Sequence, residues 1–127
     1  MATDSVLIVE HDKDLRDLLT YIFKKEGYTV FATKKSKEGY KIAKKERPVF
    51  VILGYKKKWE KLEKFCHKVR KNKKLQKLPI ILLTTNPHYQ EQPKYQKLAV
   101  DKIIVTPIKP KKLIATVKEF TRILEQA

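Results

Sequence analysis

The chain has 127 residues, 42% of them hydrophobic, with 30 Lys and Arg against 14 Asp and Glu for a formal net charge of +16. That length suits one domain, here taken as 1–127, and the apolar share excludes wholesale disorder. The one cysteine, Cys66, excludes an intrachain disulfide, and no apolar run approaches the ~20 residues that span a bilayer.

"SVLIVE" (5–10) reads as a buried strand. In the stretch after it, Leu15, Leu18, Leu19, Ile22 and Phe23 recur at helical spacing; Asp12 or Asp14 can cap the start and Gly27 can end it. "TVFA" (29–32) is a second strand. Residues 36–46 form a weaker helix in which Gly39 costs stability. Pro48 closes that connection, and Val49 to Leu53 read as a third strand buried on both faces, ending at Gly54. Trp59, Leu62, Phe65, Cys66 and Val69 mark a helix to about Asn72, with Cys66 as a buried structural thiol.

"LPIILLTTN" (78–86) is a fourth buried strand, with Pro79 at its permissive start. Residues 88–100 have helical rhythm but hold Pro93, so the helix there is expected to be short, late-starting or irregular. "DKIIVT" (101–106) is the fifth strand. Pro110 opens a last helix over 110–126, with Leu113, Ile114, Val117, Phe120 and Leu124 on one stripe. Unbroken apolar strands alternating with helices predict an α/β fold, a five-stranded parallel sheet covered on both faces. Ligands of such sheets sit outside the carboxyl ends of the strands.

At that edge "VLIVEHDKDLRDLL", "ERPVFVILG", "KLPIILLTT" and "VTPIKPKKLIATV" resemble the four landmark segments of receiver (REC) domains from bacterial two-component response regulators. The resemblance covers almost the whole chain and implies a doubly wound, flavodoxin-like topology. It also implies roles that the residues here mostly do not fill. Glu10 matches the first member of the family's acidic pair, but His11 stands where the second belongs. Gly54 occupies the position of the phospho-accepting aspartate, and Thr106 replaces the lysine closing the fifth strand. Thr84 matches the family's hydroxyl, Pro107 keeps the proline that often follows a cis peptide, and Ile103 replaces the aromatic switch residue.

A glycine offers no nucleophile for phosphoryl transfer, and Mg²⁺ requires hard oxygen ligands, usually carboxylates and waters. The implied reading is a pseudo-receiver: not an enzyme, with no catalytic residue, no metal and no cofactor, and with magnesium binding not expected. His11 as a metal ligand or pH-sensitive group, and Glu10 with Asp12 as a weak cation site, are weaker alternatives to plain loop roles.

The charge adds a second expectation. Lys13, Lys56, Lys57, Lys58, Lys109, Lys111 and Lys112 fall around the same edge, where helix N-termini add partial positive charge. They are candidates for binding phosphate groups, nucleic acid or another polyanion, against the alternative of a solvated lysine surface. Tyr55 and Trp59 flank them and could stack on single strands, although Trp59 at helical spacing also suits a core. The leading expectation is a phosphorylation-independent module that binds a protein partner in signalling, with dimerisation possible through the face of the fourth helix, fifth strand and fifth helix. "MATDSVLIVEHD" does not read as a signal peptide, and a reducing cytoplasm is the expected setting.

Overall fold

The structure is a computed structural model and describes residues 4–54 and 59–126. Five parallel strands, β1 (Ser5–Val9), β2 (Thr29–Thr33), β3 (Phe50–Gly54), β4 (Ile80–Thr84) and β5 (Lys102–Val105), lie in the order β2-β1-β3-β4-β5. Between and after them run α1 (Lys13–Lys25), α2 (Ser36–Glu46), α3 (Trp59–Lys71), α4 (Pro93–Gln96) and α5 (Pro110–Gln126).

Strand alternation sorts the apolar runs into two cores. Leu7, Val9, Val51, Leu53, Ile80 and Leu82 pack under α2 and α3, with Leu62, Phe65, Cys66 and Val69 facing them. Val6, Ile8, Phe50, Ile52, Ile81 and Leu83 pack under α1 and α5, against Leu19, Ile22, Phe23, Leu113 and Val117. Both faces of the three inner strands are therefore dry, which is why those strands read as unbroken apolar runs rather than alternating ones.

The helix boundaries follow their caps. Asp12 is the N-cap of α1: its Oδ1 accepts from the Leu15 amide at 3.0 Å. The chain leaves α1 through Gly27 at φ +96, where a side chain would be strained. Pro93 stands at the first position of α4, behind a 3-10 turn over Tyr89–Glu91, the short and late helix that the proline predicts.

Three expectations are corrected. Val49 is 40% exposed and β3 begins only at Phe50, because residue 49 is still at the sheet's amino edge. Leu18 and Leu124 lie outside the core at 49% and 37% exposure; the last turn of α5 runs past the sheet that its earlier turns cover. Gly39 is not simply a weak point of α2. A β-carbon there would meet Val9 Cγ2 at 2.7 Å, so the glycine lets α2 approach β1 closely.

Arg70 ties the amino edge together. Its guanidinium donates to the carbonyls of Ala99, Gln76 and Leu78 at 2.7–3.0 Å and to Asp101 Oδ2 at 2.8 Å. The same Oδ2 accepts from the Ile80 amide at 2.7 Å. This uses the five-donor fork that lysine lacks, and explains an arginine amid so many lysines.

Candidate functional site

The strand order reverses between β1 and β3, and the crevice outside the carboxyl ends of a doubly wound sheet opens at such a point. Glu10 follows β1 there. Its amide donates to Thr33 O at 3.0 Å, and its carbonyl accepts from Arg16 Nη1 at 2.8 Å, a group that also reaches the His11 carbonyl at 3.3 Å. These bonds fix the loop, and the Glu10 side chain turns inward until the residue is only 4% exposed.

The Glu10 carboxylate lies over Gly54. A β-carbon built on Gly54 would fall onto Glu10 Oε1 and come within 2.5 Å of Cδ and 3.1 Å of Oε2. Glu10 Oε2 accepts from the Asp12 amide at 2.9 Å. The carboxylate is thus held by its own loop, and it fills the space that a side chain on residue 54 would need.

Thr84 ends β4 beside this point and is buried. Its hydroxyl shares a hydrogen bond of 3.0 Å with the Tyr95 hydroxyl and accepts from the Asn86 amide at 3.1 Å. Tyr95 is itself buried, edge-on to Trp59 at 4.9 Å between centroids, and Lys94 Nζ stands 4.6 Å from the Trp59 ring centre. Trp59 is therefore half-buried packing, as its helical spacing suggested. Thr106 donates its amide to Thr84 O at 2.8 Å, its hydroxyl reaches the same oxygen at 3.4 Å, and the Thr106–Pro107 peptide is cis. A hollow of about 410 Å³ is bounded by Glu10, Asp12, Thr84, Lys94, Tyr95 and Thr106.

The described lysines expected at this edge stand on two elements, Lys13 on α1 and Lys109, Lys111 and Lys112 around the start of α5. Lys13 pairs with Asp17 along α1 at 2.8 Å; that hydrogen bond raises the Lys13 pKa and lowers that of Asp17. Lys109, Lys111 and Lys112 are exposed around the start of α5. Tyr55, Lys56, Lys57 and Lys58 lie outside the described residues. On the other side of Gly54 a larger cleft of about 780 Å³ opens between α2 and α3, and His11 is on its wall.

Sequence reasoning missed the Tyr95 partnership and this cleft. No spacing rule connects positions 84 and 95 across a proline-broken segment. The cleft did leave a signal: Lys61, Lys64 and Lys68 follow one another at i, i+3 and i+7 on α3.

Residues 6–118 match the model of the response regulator receiver domain family. The chain belongs to that family. The fold is similar to that of the chemotaxis protein CheY4 of Vibrio cholerae, with 22% identity, a TM-score of 0.82, and coverage of 94% of this chain and 99% of that one. It is also similar to the receiver domain of a signal transduction histidine kinase from Syntrophus aciditrophicus, with 21% identity, a TM-score of 0.84, and coverage of 98% and 95%. A third similar structure is the receiver domain of the sensor histidine kinase PA1611 from Pseudomonas aeruginosa, which holds a magnesium ion in its active-site cleft. It is 15% identical, with a TM-score of 0.78 and coverage of 94% and 98%. The α/β, five-stranded, flavodoxin-like receiver topology expected from the sequence is the one observed. Receiver domains of two-component systems signal through protein partners. Among the described residues no helix is long and apolar enough to cross a membrane.

Proposed function

We propose that this receiver domain works without phosphorylation, as a protein-interaction module held in one state. One observation carries the reading: the Glu10 carboxylate occupies the space over Gly54 where the family's phospho-acceptor side chain would project. A phosphoryl group needs a nucleophilic atom to receive it, and glycine has none. Glu10 is a poor substitute, since one oxygen is bonded to the Asp12 amide and the whole residue is buried.

The residues present do not fit magnesium. Among the described residues that bound this hollow the carboxylates are Glu10 and Asp12, and each accepts an amide of the β1–α1 segment: Glu10 that of Asp12 and Asp12 that of Leu15. Two carboxylates that each already accept an amide are a thin oxygen set for a small cation that demands near-octahedral ligands.

Thr84 supports the fixed state. It stands at the position of the family's hydroxyl, and that hydroxyl is bonded to the Tyr95 hydroxyl and the Asn86 amide. Thr106, in place of the lysine, brings no positive charge to the hollow. The face of α4, β5 and α5 is the proposed docking and dimerisation surface, in a single conformation because no phosphoryl contact biases a second one. Incubation with acetyl phosphate and magnesium followed by intact mass measurement tests this. The expected result is an unchanged mass; gain of a hydroxylamine-labile phosphoryl group would overturn the reading.

A further inference from the structure

The sheet ends in two edge strands, β2 and β5, and they are not alike. An open strand edge templates pairing with another chain, and proteins guard such edges with charge, proline, bulges or short strands. β5 is guarded: it has four residues, begins with Lys102 and follows Asp101, which Arg70 holds. β2 has five residues and pairs with β1 in unbroken register from Ser5–Thr29 to Val9–Thr33, so no bulge interrupts it. In a chain that is 35% charged, Gly27 to Thr33 contain no charged residue and no proline.

Two bonds fix which way the groups of β2 point. The Thr29 amide donates to Asp4 O at 2.9 Å, and Thr33 O accepts from the Glu10 amide at 3.0 Å. Bonding residues alternate along a parallel ladder, so Thr29, Phe31 and Thr33 face β1, and Val30 and Ala32 turn their N–H and C=O groups to the open side. Among the described residues no other element bonds to those groups. Thr29 and Ala32 are exposed; Val30 and Phe31 are half-buried, one against the α1 and α5 core and the other against the α2 and α3 core. A strand laid along β2 meets main-chain donors and acceptors on its edge and apolar side chains on both faces. This suits an extended peptide, whose backbone supplies the bonds and whose alternate side chains supply selectivity.

Charge narrows the choice of peptide. Lys34, Lys35 and Lys37 follow the carboxyl end of β2, exposed and in no ion pair among the described residues. Asp4 and the ion-paired Glu26 stand at its amino end. Acids are therefore favoured at one end of an incoming strand only. A second copy of the chain is disfavoured: pairing β2 with its twin about a two-fold axis normal to the sheet sets two lysine-rich α2 helices side by side, with +16 on each partner.

We propose that the β2 edge docks an extended segment of a partner protein, antiparallel to β2, with acidic residues at its N-terminal end beside Lys34 and Lys35 and alternating apolar residues along Val30 to Ala32. Antiparallel pairing is the slightly more stable of the two directions. This surface is separate from the face of α4, β5 and α5, and its use does not depend on whether the chain accepts a phosphoryl group.

The test uses the whole chain and a synthetic peptide of three aspartates followed by Val-Thr-Val-Thr-Val, read by fluorescence anisotropy at about 0.15 M salt. The same peptide in reversed order carries the same charge and should bind at least about fivefold more weakly. Two N-methylated peptides, each blocked at alternate residues of the Val-Thr run, separate the two sides of the bound strand. One should lose at least about tenfold in affinity and the other less than about threefold, since only one set of amides faces β2. In the complex the Val30 and Ala32 amides should exchange at least about tenfold more slowly than in the free chain. Ala32→Pro removes an outward N–H that the ladder to β1 does not use, and should weaken binding about tenfold; if its melting curve shows a lost fold, the N-methylated pair decides. Equal or tighter binding of the reversed peptide, equal loss in the two N-methylated peptides, unslowed exchange at Val30 and Ala32, or no binding would each overturn the proposal. A concentration-dependent dimer of the free chain that Ala32→Pro abolishes would overturn it too, by giving the edge to a second copy.

Discussion

Glu10 and Gly54 share one volume: the carboxylate of the first lies where a β-carbon on the second would be. The pair couples the end of β1 to the end of β3, so a substitution at either position is felt at the other. Gly54→Asp should not restore an acceptor but destabilise the domain by about 2 kcal/mol, since Glu10 must leave its buried position and two carboxylates then meet. In a Glu10→Ala background the same change should cost less than about 1 kcal/mol, and urea unfolding of the four proteins reads the coupling. Additive costs would show that the two positions do not compete.

The Thr84–Tyr95 bond predicts a smaller effect. Tyr95→Phe keeps the ring against Trp59 and removes one hydroxyl, leaving Thr84 with the Asn86 amide as its partner. A loss of about 1 kcal/mol is expected by denaturant unfolding. Tyr95→Ala, which also empties the ring's place beside Trp59, should cost about 3–5 kcal/mol.

Helix propensity and packing disagree at Gly39, and packing should win. Alanine is better than glycine in a helix by about 1 kcal/mol. The added methyl must however push Val9, a buried side chain whose Cγ2 would be 2.7 Å away, and overpacking typically costs about 1–3 kcal/mol. Gly39→Ala should lower the melting temperature; a rise would show that Val9 has room to turn.

Arg70 should not tolerate lysine. Lysine can meet one of the carbonyls of Ala99, Gln76 and Leu78 but not all three together with Asp101. Arg70→Lys is expected to cost about 2 kcal/mol in urea unfolding, through bonds lost at the entries to β4 and β5.

Burial pushes the Cys66 thiol up to about 12 from 9.0, with the nearby Arg70 charge opposing this only in part. Between those values the unfolded chain releases the proton and the folded chain keeps it, so the unfolded state binds fewer protons and stability falls as pH rises above about 9. Cys66→Ala should flatten that part of the pH profile. Native protein at pH 8 should leave Ellman's reagent unreacted until denaturant is added.

What could be read from the sequence divides along physical lines. Strands are legible because Val6 to Val9, Phe50 to Leu53 and Ile80 to Leu83 are apolar on both faces, whereas Pro93 in the rhythm of 88–100 predicts only a short, late-starting or irregular helix, without the bounds 93–96 that it has. Thr84 and Thr106 are marked by the resemblance to receiver domains, which picks out the positions at the ends of the fourth and fifth strands. The occupant of the space over Gly54 was not legible, since a missing side chain says nothing about which neighbour turns in. Gly39 looked like a defect for the same reason: only the distance to Val9 shows its use. The two lysine sets of the cleft are separated by β3, and they become one feature only when α2 and α3 lie side by side.

The Glu10 carboxylate fills the space above Gly54, and on the function proposed above that space takes no phosphoryl group. The most direct measurement of this is an amide NMR titration with magnesium and beryllofluoride, a tetrahedral mimic of a carboxylate-bound phosphoryl group. The signals of Glu10, Asp12, Thr84, Asn86 and Thr106 should not move. Saturable shifts at those amides, appearing only when both magnesium and beryllofluoride are present, would contradict it.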